Sequence, residues 1–584
     1  MSRSLLAALI LSLCCAGPTL ASQSGKAKRP NVILIITDDQ GHGDLGIHGN
    51  PKIRTPNLDK LARQGTRFTY FYVSPVCSPT RASLMTGRYN YRTGVVDTFL
   101  GRSLMHPDEV TLAQMLAAAG YRTGIFGKWH LGDNYPLRAM DRGFQESLVL
   151  KGGGIGQPSD PPGGDTYFDP VLYENGKAVK TKGYVSDVLT DAAIRFLERQ
   201  PDGPFFVYLA FNAPHAPLQV PEASYQLYKK MNLAHSEFPQ VGQPLPGKAL
   251  QDVTARVYGM VTNIDDNIGR LLARLDELKL AEDTIVIFLT DNGPQQVRYN
   301  SGLRGRKGTV HEGGVRVPFF VRWPGKVPAG GTIDRIAAHI DVAPTLLKMC
   351  GVNRPAKVSF DGKSLWPLLR GDKIDWPDRT LYVQWHRGDR PELYRACAAR
   401  SQQYRLVQPA GVTGEKLPAE PKFQLYDISK DPYEEHDFAA KYPEIIARMR
   451  KGYEDWFKDV SATRGYEPPR IHLGALEENP TLLTRQDWRG PRAGWKGNDL
   501  GHWEVQVVRE GTYNVTLLFP ASEKTRTARF VLGGVSLMRE VPAAATRITF
   551  EAVRLPAGAG RLEGWLAAGD TTVGVSYVEV FRKE

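Results

Sequence analysis

The run Cys77-Ser78-Pro79-Thr80-Arg81 puts a thiol and a guanidinium where a helix would begin. Pro79 suits the first turn, where a helix leaves N–H groups unpaired anyway. The polar residues before it suit the cap. A group at Cys77 would then face backbone donors and the positive end of the helix dipole, which favour an anion. Asp38-Asp39 and Asp291-Asn292 each close an apolar run. Adjacent carboxylates repel unless a cation joins them, so these four oxygen donors point to hard-cation chemistry of the Ca²⁺ kind. The plainer reading of Asp38-Asp39 is a solvated turn. Lys128 and His130, two apart, can point to one side of an extended chain. Lysine offers a compact charge to an oxyanion, and histidine trades a proton near neutral pH; a surface loop is the alternative. His215, set in Ala213-Pro214-His215-Ala216-Pro217, would be held rigidly, as a proton donor requires. Lys307, in a glycine-broken basic loop, is a second cation for an anion.

These side chains need elements to position them. Residues 31–36 (N-V-I-L-I-I) and 284–290 (T-I-V-I-F-L-T) are unbroken apolar runs, the pattern of parallel strands buried on both faces. Their acids follow at the strand ends, where open α/β sheets keep their sites. A helix over 56–64 stops at Gly65, and a strand over 66–73 leads into Cys77. A helix over 112–119 and a strand over 121–126 precede Lys128; a helix over 185–200 and a strand over 205–211 precede His215. A long helix over 252–279 precedes the second acid-tipped strand, and a strand (318–323) and a helix (341–349) follow it. Residues 151–164, rich in Gly and Pro, read as a loop over the sheet. From about 371 a smaller unit follows, with strands over 380–385, 394–400 and 402–407 and a helix over 442–456. Residues 461–480 read as a linker. The rest, 481–584, alternates in short runs with turns and no helical period, as a β-sandwich does. Trp488, Trp495, Trp503 and Trp565 would either stack on sugars or fill its core.

The chain has 584 residues, which implies two or three units. With 42% apolar and 23% charged residues it is neither disordered nor fibrous. A net charge of +12 favours anionic partners. It is spread along the chain, without the basic blocks or aromatic–basic alternation that would indicate nucleic acid. Residues 1–21, with Arg3, an apolar run and Thr19-Leu20-Ala21, read as a secretory signal, too short for a stable membrane anchor. The expectation is export to a periplasmic or secreted location. Removal of Cys14 and Cys15 with the signal leaves Cys77, Cys350 and Cys397. That odd number marks an unusual fate for one of them, and leaves Cys350 and Cys397 free to pair.

In its fuller form, C-S-P-T-R-A-S-L-M-T-G-R over 77–88, the cysteine run resembles the signature of the formylglycine-dependent type I sulfatases. The order D-D, C-S-P-T-R, G-K-W-H-L-G (127–132), A-P-H-A-P, D-N-G (291–293), then G-R-K-G and E-G-G-V-R (305–316), is similar to that family from about residue 30 to 456. The resemblance implies an α/β, alkaline-phosphatase-like fold: helices around a large mixed, mostly parallel sheet over 30–370, with a small C-terminal α+β subdomain over 371–460. The appended sandwich resembles carbohydrate-binding modules of glycan-degrading enzymes.

By the same resemblance, Cys77 is oxidised after translation by a formylglycine-generating enzyme, and the aldehyde hydrate attacks the sulfur of a sulfate ester. Asp38, Asp39, Asp291 and Asn292 hold one Ca²⁺, with the converted Cys77 as a further ligand. Lys128 and Lys307, with the metal, neutralise the sulfate oxygens. His215 protonates the leaving alcohol, Arg81 orients the hydrate, and His130 takes a proton as sulfate is expelled and the aldehyde returns. Asp97, Arg304 and His311, with Tyr299 and the 151–164 loop, are substrate-contact candidates on position alone. The implied substrate is a sulfated sugar or polysaccharide. Two other readings stay open: a phosphonate monoester or phosphodiester hydrolase of the same superfamily, and a glycan-binding protein with an inactive catalytic domain.

Overall fold

The computed structural model describes residues 29–161, 163–199, 203–244, 250–418 and 420–583. The secretory-signal reading of 1–21 therefore lies outside the described residues. Among those described, no helix is long and apolar enough to cross a membrane.

The strand Asn31–Thr37 is buried at every position and lies inside a ten-stranded sheet. It pairs in parallel with Thr284–Thr290 on one side and Phe205–Ala210 on the other. Beyond Phe205–Ala210 lie Arg122–Lys128 and Glu146–Leu150, again parallel. Antiparallel pairs begin outside this centre, at Phe319–Arg322 on one flank and Val171–Glu174 on the other. The alternation of a strand's side chains explains the apolar run. Val32, Leu34 and Ile36 enter one core with Leu84, Leu112 and Leu346, whereas Ile33 and Ile35 enter the other with Leu58, Leu189 and Ile264. Helices Cys77–Thr86, Leu112–Ala118 and Val342–Met349 supply the first core; Pro56–Gln64, Val185–Glu198 and Gln251–Glu277 supply the second. A sheet covered on both faces needs strands apolar on both faces.

Pairing register brings the chemistry to one edge. Thr37 lies opposite Thr290, and Ala210 opposite both Ile36 and Gly127. So Asp38, Asp291, the 211–217 turn and Lys128 leave the sheet side by side at its carboxyl end. A four-stranded antiparallel sheet (Leu381–Gln384, Cys397–Arg400, Tyr404–Gln408, Gln424–Asp427) with helix Pro443–Ser461 forms the smaller unit.

The C-terminal region is two packed antiparallel sheets around Trp488, Trp503, Val515, Leu517, Phe530, Leu562 and Val578. Several expectations are corrected here. Residues 66–73 are two strands: Thr66–Phe68 joins the large sheet, while Phe71–Tyr72 pairs with Ala337–Ala338. The 461–480 stretch is more than a linker, because Ile471–Leu473 pairs with His502–Val507 and opens the sandwich. Trp488 and Trp503 are fully buried and cannot meet a sugar, since their positions face the space between the sheets. Cys350 and Cys397 are free, each buried in a different cluster, against Tyr121 and Tyr453 respectively. Burial pushes both thiols up to about 12.

His339 Nε2 meets Ser74 Oγ at 3.1 Å, and burial lowers this ring to about 3. The unfolded chain therefore binds a proton here that the folded chain refuses, across the window from about 6.5 down to about 3. Stability from this site is complete above that window and is lost as pH falls through it, by about 1.4 kcal/mol per pH unit. His339→Gln is expected to flatten the pH dependence of chemical unfolding between about pH 6 and 4 by that slope. An unchanged slope in the variant would show that the acid sensitivity lies elsewhere.

Candidate active site

Helix Cys77–Thr86 begins at Cys77, with Val76 as an extended cap and every residue buried. Its first turn points at the carboxyl edge of the sheet, so Cys77 and Arg81, one turn apart, face the acids at the strand ends. Ligand atoms of Asp38, Asp291 and Cys77 lie within 4.8 Å of one another, and so do those of Asp38, Asp39 and His215. Arg81 donates to Asp291 Oδ2 through Nη2 at 2.8 Å and Nε at 3.2 Å, and through Nη1 to the Lys128 carbonyl at 3.0 Å. Lys128 Nζ reaches Asp38 Oδ2 at 2.5 Å, and Lys307 Nζ reaches Asp39 Oδ1 at 2.6 Å. Asn292 Nδ2 donates to the same Asp39 oxygen at 2.8 Å.

Asp38, Asp39, Asp291, Arg81 and Lys128 are all sealed from solvent. Three buried carboxylates in contact form an unstable set without compensation, and the electrostatics show it. Burial, then Asp38 beside it, pushes Asp291 up to about 6. Burial would also raise Asp39, yet Lys307 and His215 hold it well below the ordinary carboxylate range. Asp38 Oδ1, Asp39 Oδ2 and Asn292 Oδ1 are buried without a hydrogen-bond donor. Buried carboxylate and amide oxygens left without donors fit a hard divalent cation.

Two backbone conformations are held against local preference. Asp39 and His130 both have left-handed φ values, 65° and 60°, at a cost of about 1–3 kcal/mol each. Asp39 is braced from behind by Arg298, whose Nη2 donates to its carbonyl at 2.9 Å while Nε donates to Asp44 Oδ1 at 2.8 Å. His130 is braced by Ser78 Oγ, which donates to its carbonyl at 3.0 Å, and its Nε2 meets the Thr98 carbonyl at 2.7 Å. Burial, then Lys128, drives the His130 ring well below its usual range, so it stands neutral with Nδ1 unpartnered. Burial likewise takes His215 down to about 3, against the pull of Asp39 at 3.8 Å. Tyr167 OH donates to the His215 carbonyl at 2.6 Å and fixes the turn. Burial pushes the Cys77 thiol up despite Lys128 and Lys307, so an unmodified Cys77 is a poor thiolate.

The loop at 151–164 lies over these histidines. A Cβ on Gly153 would stand 2.8 Å from the His130 ring, and one on Gly154 would stand 3.0 Å from His215 Nδ1. Only glycine lets the loop pack this closely. The sandwich reaches the same place: Gln486 Nε2 donates to the Thr98 carbonyl at 2.9 Å, and Tyr577 OH donates to the Asp160 carbonyl at 2.7 Å.

The structure therefore gathers Cys77, Arg81, Lys128, His130, His215, Lys307, Asp38, Asp39, Asp291 and Asn292 into one cluster, and the three position-based candidates stand around it, Arg304 and His311 lining a cleft that also includes Arg306, the neighbour of Lys307. Asp97 is fully buried and hydrogen-bonded by Trp385 Nε1 at 3.1 Å and Arg387 Nη1 at 2.6 Å. His311 is buried against Glu434 at 3.3 Å. Arg304 donates to Tyr426 OH at 2.7 Å; with Tyr299 it lines a cleft of about 300 Å³ flanked by Pro294, two residues beyond Asn292. Sequence reasoning did not find Gln486, Tyr167, Asp44 or Arg298. The first two act through long-range backbone contacts that leave no local pattern, and Asp44 and Arg298 are 254 residues apart.

The sulfatase family profile matches residues 30–352, and a profile for the C-terminal part of N-sulphoglucosamine sulphohydrolase matches 306–458. Human arylsulfatase A is 33% identical over 484 residues, covering 74% of this chain and 88% of that protein. Human N-acetylgalactosamine-6-sulfatase is 33% identical over 399 residues, covering 63% of this chain and 70% of that protein. The crystal structure of Ps i-CgsB in complex with k-i-k-neocarrahexaose superposes with a TM-score of 0.63 at 30% identity, covering 75% of this chain and 95% of that one. The chain belongs to the sulfatase family, an α/β fold with additional C-terminal β-sheets, and is a sulfuric ester hydrolase.

Proposed function

We propose that this sulfatase acts on a sulfated sugar or polysaccharide, with Cys77 converted to formylglycine by a generating enzyme and one Ca²⁺ held by Asp38, Asp39, Asp291 and Asn292. The observation that carries the reading is the clustering of Asp38 and Asp291 with Cys77 and of Asp39 with Asp38, where three donor oxygens are unpartnered and a lysine meets each of Asp38 and Asp39. The converted side chain, once hydrated, supplies an oxygen nucleophile, and the cation supplies charge for the sulfate oxygens. Lys128 and Lys307 turn from their carboxylates to the sulfate, each offering a donor where negative charge grows in the transition state. Arg81, locked by Asp291 and the Lys128 carbonyl, holds the nucleophilic hydroxyl in line. His215 gives its proton to the leaving oxygen. Its low proton affinity is set by burial, and an arriving sulfate monoanion raises it, so the ring charges with substrate in place. His130, neutral and with Nδ1 free, takes the proton of the second hydroxyl, which frees sulfate. The sugar reading is supported by the relatives, whose names are those of sulfatases acting on sugar sulfates, and by the solved complex with a carrageenan-type hexaose. An N-terminal signal would place the enzyme outside the cytoplasm, where such polymers are met.

Inorganic sulfate release from a panel of sulfated glycans and an aryl sulfate, with co-expressed generating enzyme, tests the reading. One glycan class should be desulfated, and Cys77→Ala and chelation should each remove activity, with Ca²⁺ restoring it in the chelated sample. Turnover of an aryl phosphonate with no sulfate release would instead make the chain a phosphonate hydrolase.

Gln486 and His130 share the Thr98 carbonyl, so Gln486 is a positioning residue supplied by the sandwich. Gln486→Ala is expected to lower kcat on every sulfate ester by about 2–10-fold, the worth of one neutral hydrogen bond, with KM little changed. A rise in KM alone would assign Gln486 to substrate contact instead.

A further inference from the structure

The outer face of the sandwich carries a second cleft, away from the catalytic pocket. Its volume is about 390 Å³, and Trp565, Arg492, His502, Glu563 and Thr572 are among its lining residues. Trp565 occupies an outward position of strand Gly558–Ala568, while its neighbours Gly564 and Leu566 point to the core. Gly574 is its cross-strand partner on one side, where the buried Trp488 ring fills the space a side chain would take. On the other side the partner is Arg529, which is itself opposite Met538, an exposed residue. A row of Met538, Arg529 and Trp565 therefore crosses the face. Among the described residues, the guanidinium groups of Arg492 and Arg529 have no acidic partner or acceptor, unlike Arg561, which is paired with Glu504 at 2.8 Å. A half-buried indole lining a cleft beside unpaired guanidinium groups is what a pyranose ring bearing anionic substituents recognises: the ring's C–H face stacks on the indole, and the anions meet arginine.

The loop that lines the cleft also reaches toward the catalytic side. Residues 490–492, 500 and 501 line it, and the same loop carries Trp495, exposed and edge-on to Phe99 at 5.2 Å between ring centres. Phe99 is the neighbour of Thr98, whose carbonyl meets His130. Arg489 lines the cleft and pairs with Asp389 of the smaller unit at 3.1 Å, which fixes the loop to the catalytic side.

We infer that the Trp565 cleft is a second binding site, for a segment of an anionic glycan chain whose other end reaches the catalytic pocket past Phe99 and Trp495. The choice of a sulfated glycan rests on the proposed substrate class; the cleft and its unpaired cations do not.

The test uses the full chain with Cys77→Ala, which binds without turnover. Titration with a sulfated polysaccharide should give a Kd that weakens about tenfold or more in Trp565→Ala and in Arg492→Glu. An uncharged polysaccharide of the same length should bind neither form. In the Cys77-intact enzyme, Trp565→Ala should leave aryl sulfate turnover unchanged, since a small substrate never reaches the cleft. Trp565 lies on the outer face, so the variant should keep the parent melting temperature. Polymer binding within about twofold of the parent in a well-folded Trp565→Ala chain would overturn the inference. So would equal affinity for the uncharged polymer. Loss of aryl sulfate turnover in the parent would instead strike the catalytic reading and leave this binding result standing.

Discussion

Three buried carboxylates that cannot stand together unaided decide the rest of this structure. Asp38, Asp39 and Asp291 are sealed from water at the ends of neighbouring strands. In a low-dielectric interior such a group repels itself by several kcal/mol and would take up protons rather than stay charged. Asp291, raised to about 6, registers that pressure. Arg81, Lys128 and Lys307 bring as many positive charges as there are acids, each in direct contact with a carboxylate. A divalent cation at the unpartnered oxygens would free the lysines to meet an anion. The site is balanced as it stands, three cations against three acids, so a divalent cation entering it would call for an anion beside it. Geometry follows from the same need: a parallel sheet in register and a helix that begins at Cys77 are the elements that converge those groups at one edge.

Such a balance holds only where water is excluded, because a solvated lysine–carboxylate pair is worth little. Exclusion comes from outside the sheet. The glycines of the 151–164 loop pack on His130 and His215, and the sandwich pins that loop through Tyr577 and the Thr98 carbonyl through Gln486. On the opposite side, Arg405 is wedged between Glu312 and Glu434, and Gly308 N donates to the Pro75 carbonyl at 2.9 Å, which fixes the loop that bears Lys307. Strain at Asp39 and His130 is carried by these braces. The added domains therefore belong to the active site's physics, although none of their side chains is needed to write the reaction.

Much of this was legible in the chain, and what was not shares one cause. Asp38-Asp39 and Asp291-Asn292 could be placed because each follows an apolar run long enough to be a buried strand, and strand ends are where such sheets work. Cys77 and Arg81 could be placed because proline and polar caps mark a helix start. What local pattern cannot carry is register and distant pairing. That Lys128 and Asp38 end in the same row depends on Gly127 lying opposite Ala210, and Ala210 opposite Ile36. The Gln486–Thr98 contact spans 388 residues. Asp97 looked available by position yet is taken up by Trp385 and Arg387, which come from a strand end almost three hundred residues away. Trp488 and Trp503 could be read as sugar platforms or as core, because an isolated tryptophan carries no sign of which side of its sheet it faces, and the structure puts both in the core. The alternation around Trp503, with Val505 and Val507 also buried, does carry it. Cys350 and Cys397 failed to pair for the same reason, since elements far apart in sequence decided where each was buried.

The way the sandwich is attached changes what a second glycan site on it would do. A module on a flexible linker raises the local concentration of a polymer over a broad volume, and the gain falls off as the linker lengthens. Here the connection is not free. Ile471–Leu473 is itself a strand of the sandwich, its middle residue His472 donates its N–H to the Tyr135 carbonyl at 3.0 Å, and Glu478 accepts from Asn134 and Tyr135. Rigid attachment fixes the separation and direction between the Trp565 cleft and Cys77. A polymer held at both ends must then present a sulfate at one particular spacing from the sugar stacked on the indole. Binding energy from the remote contact is available for orientation at the reacting sulfur rather than for capture alone. A rigidly docked sandwich thereby reads position along a glycan, whereas the catalytic pocket, built around charge, reads only the sulfate itself.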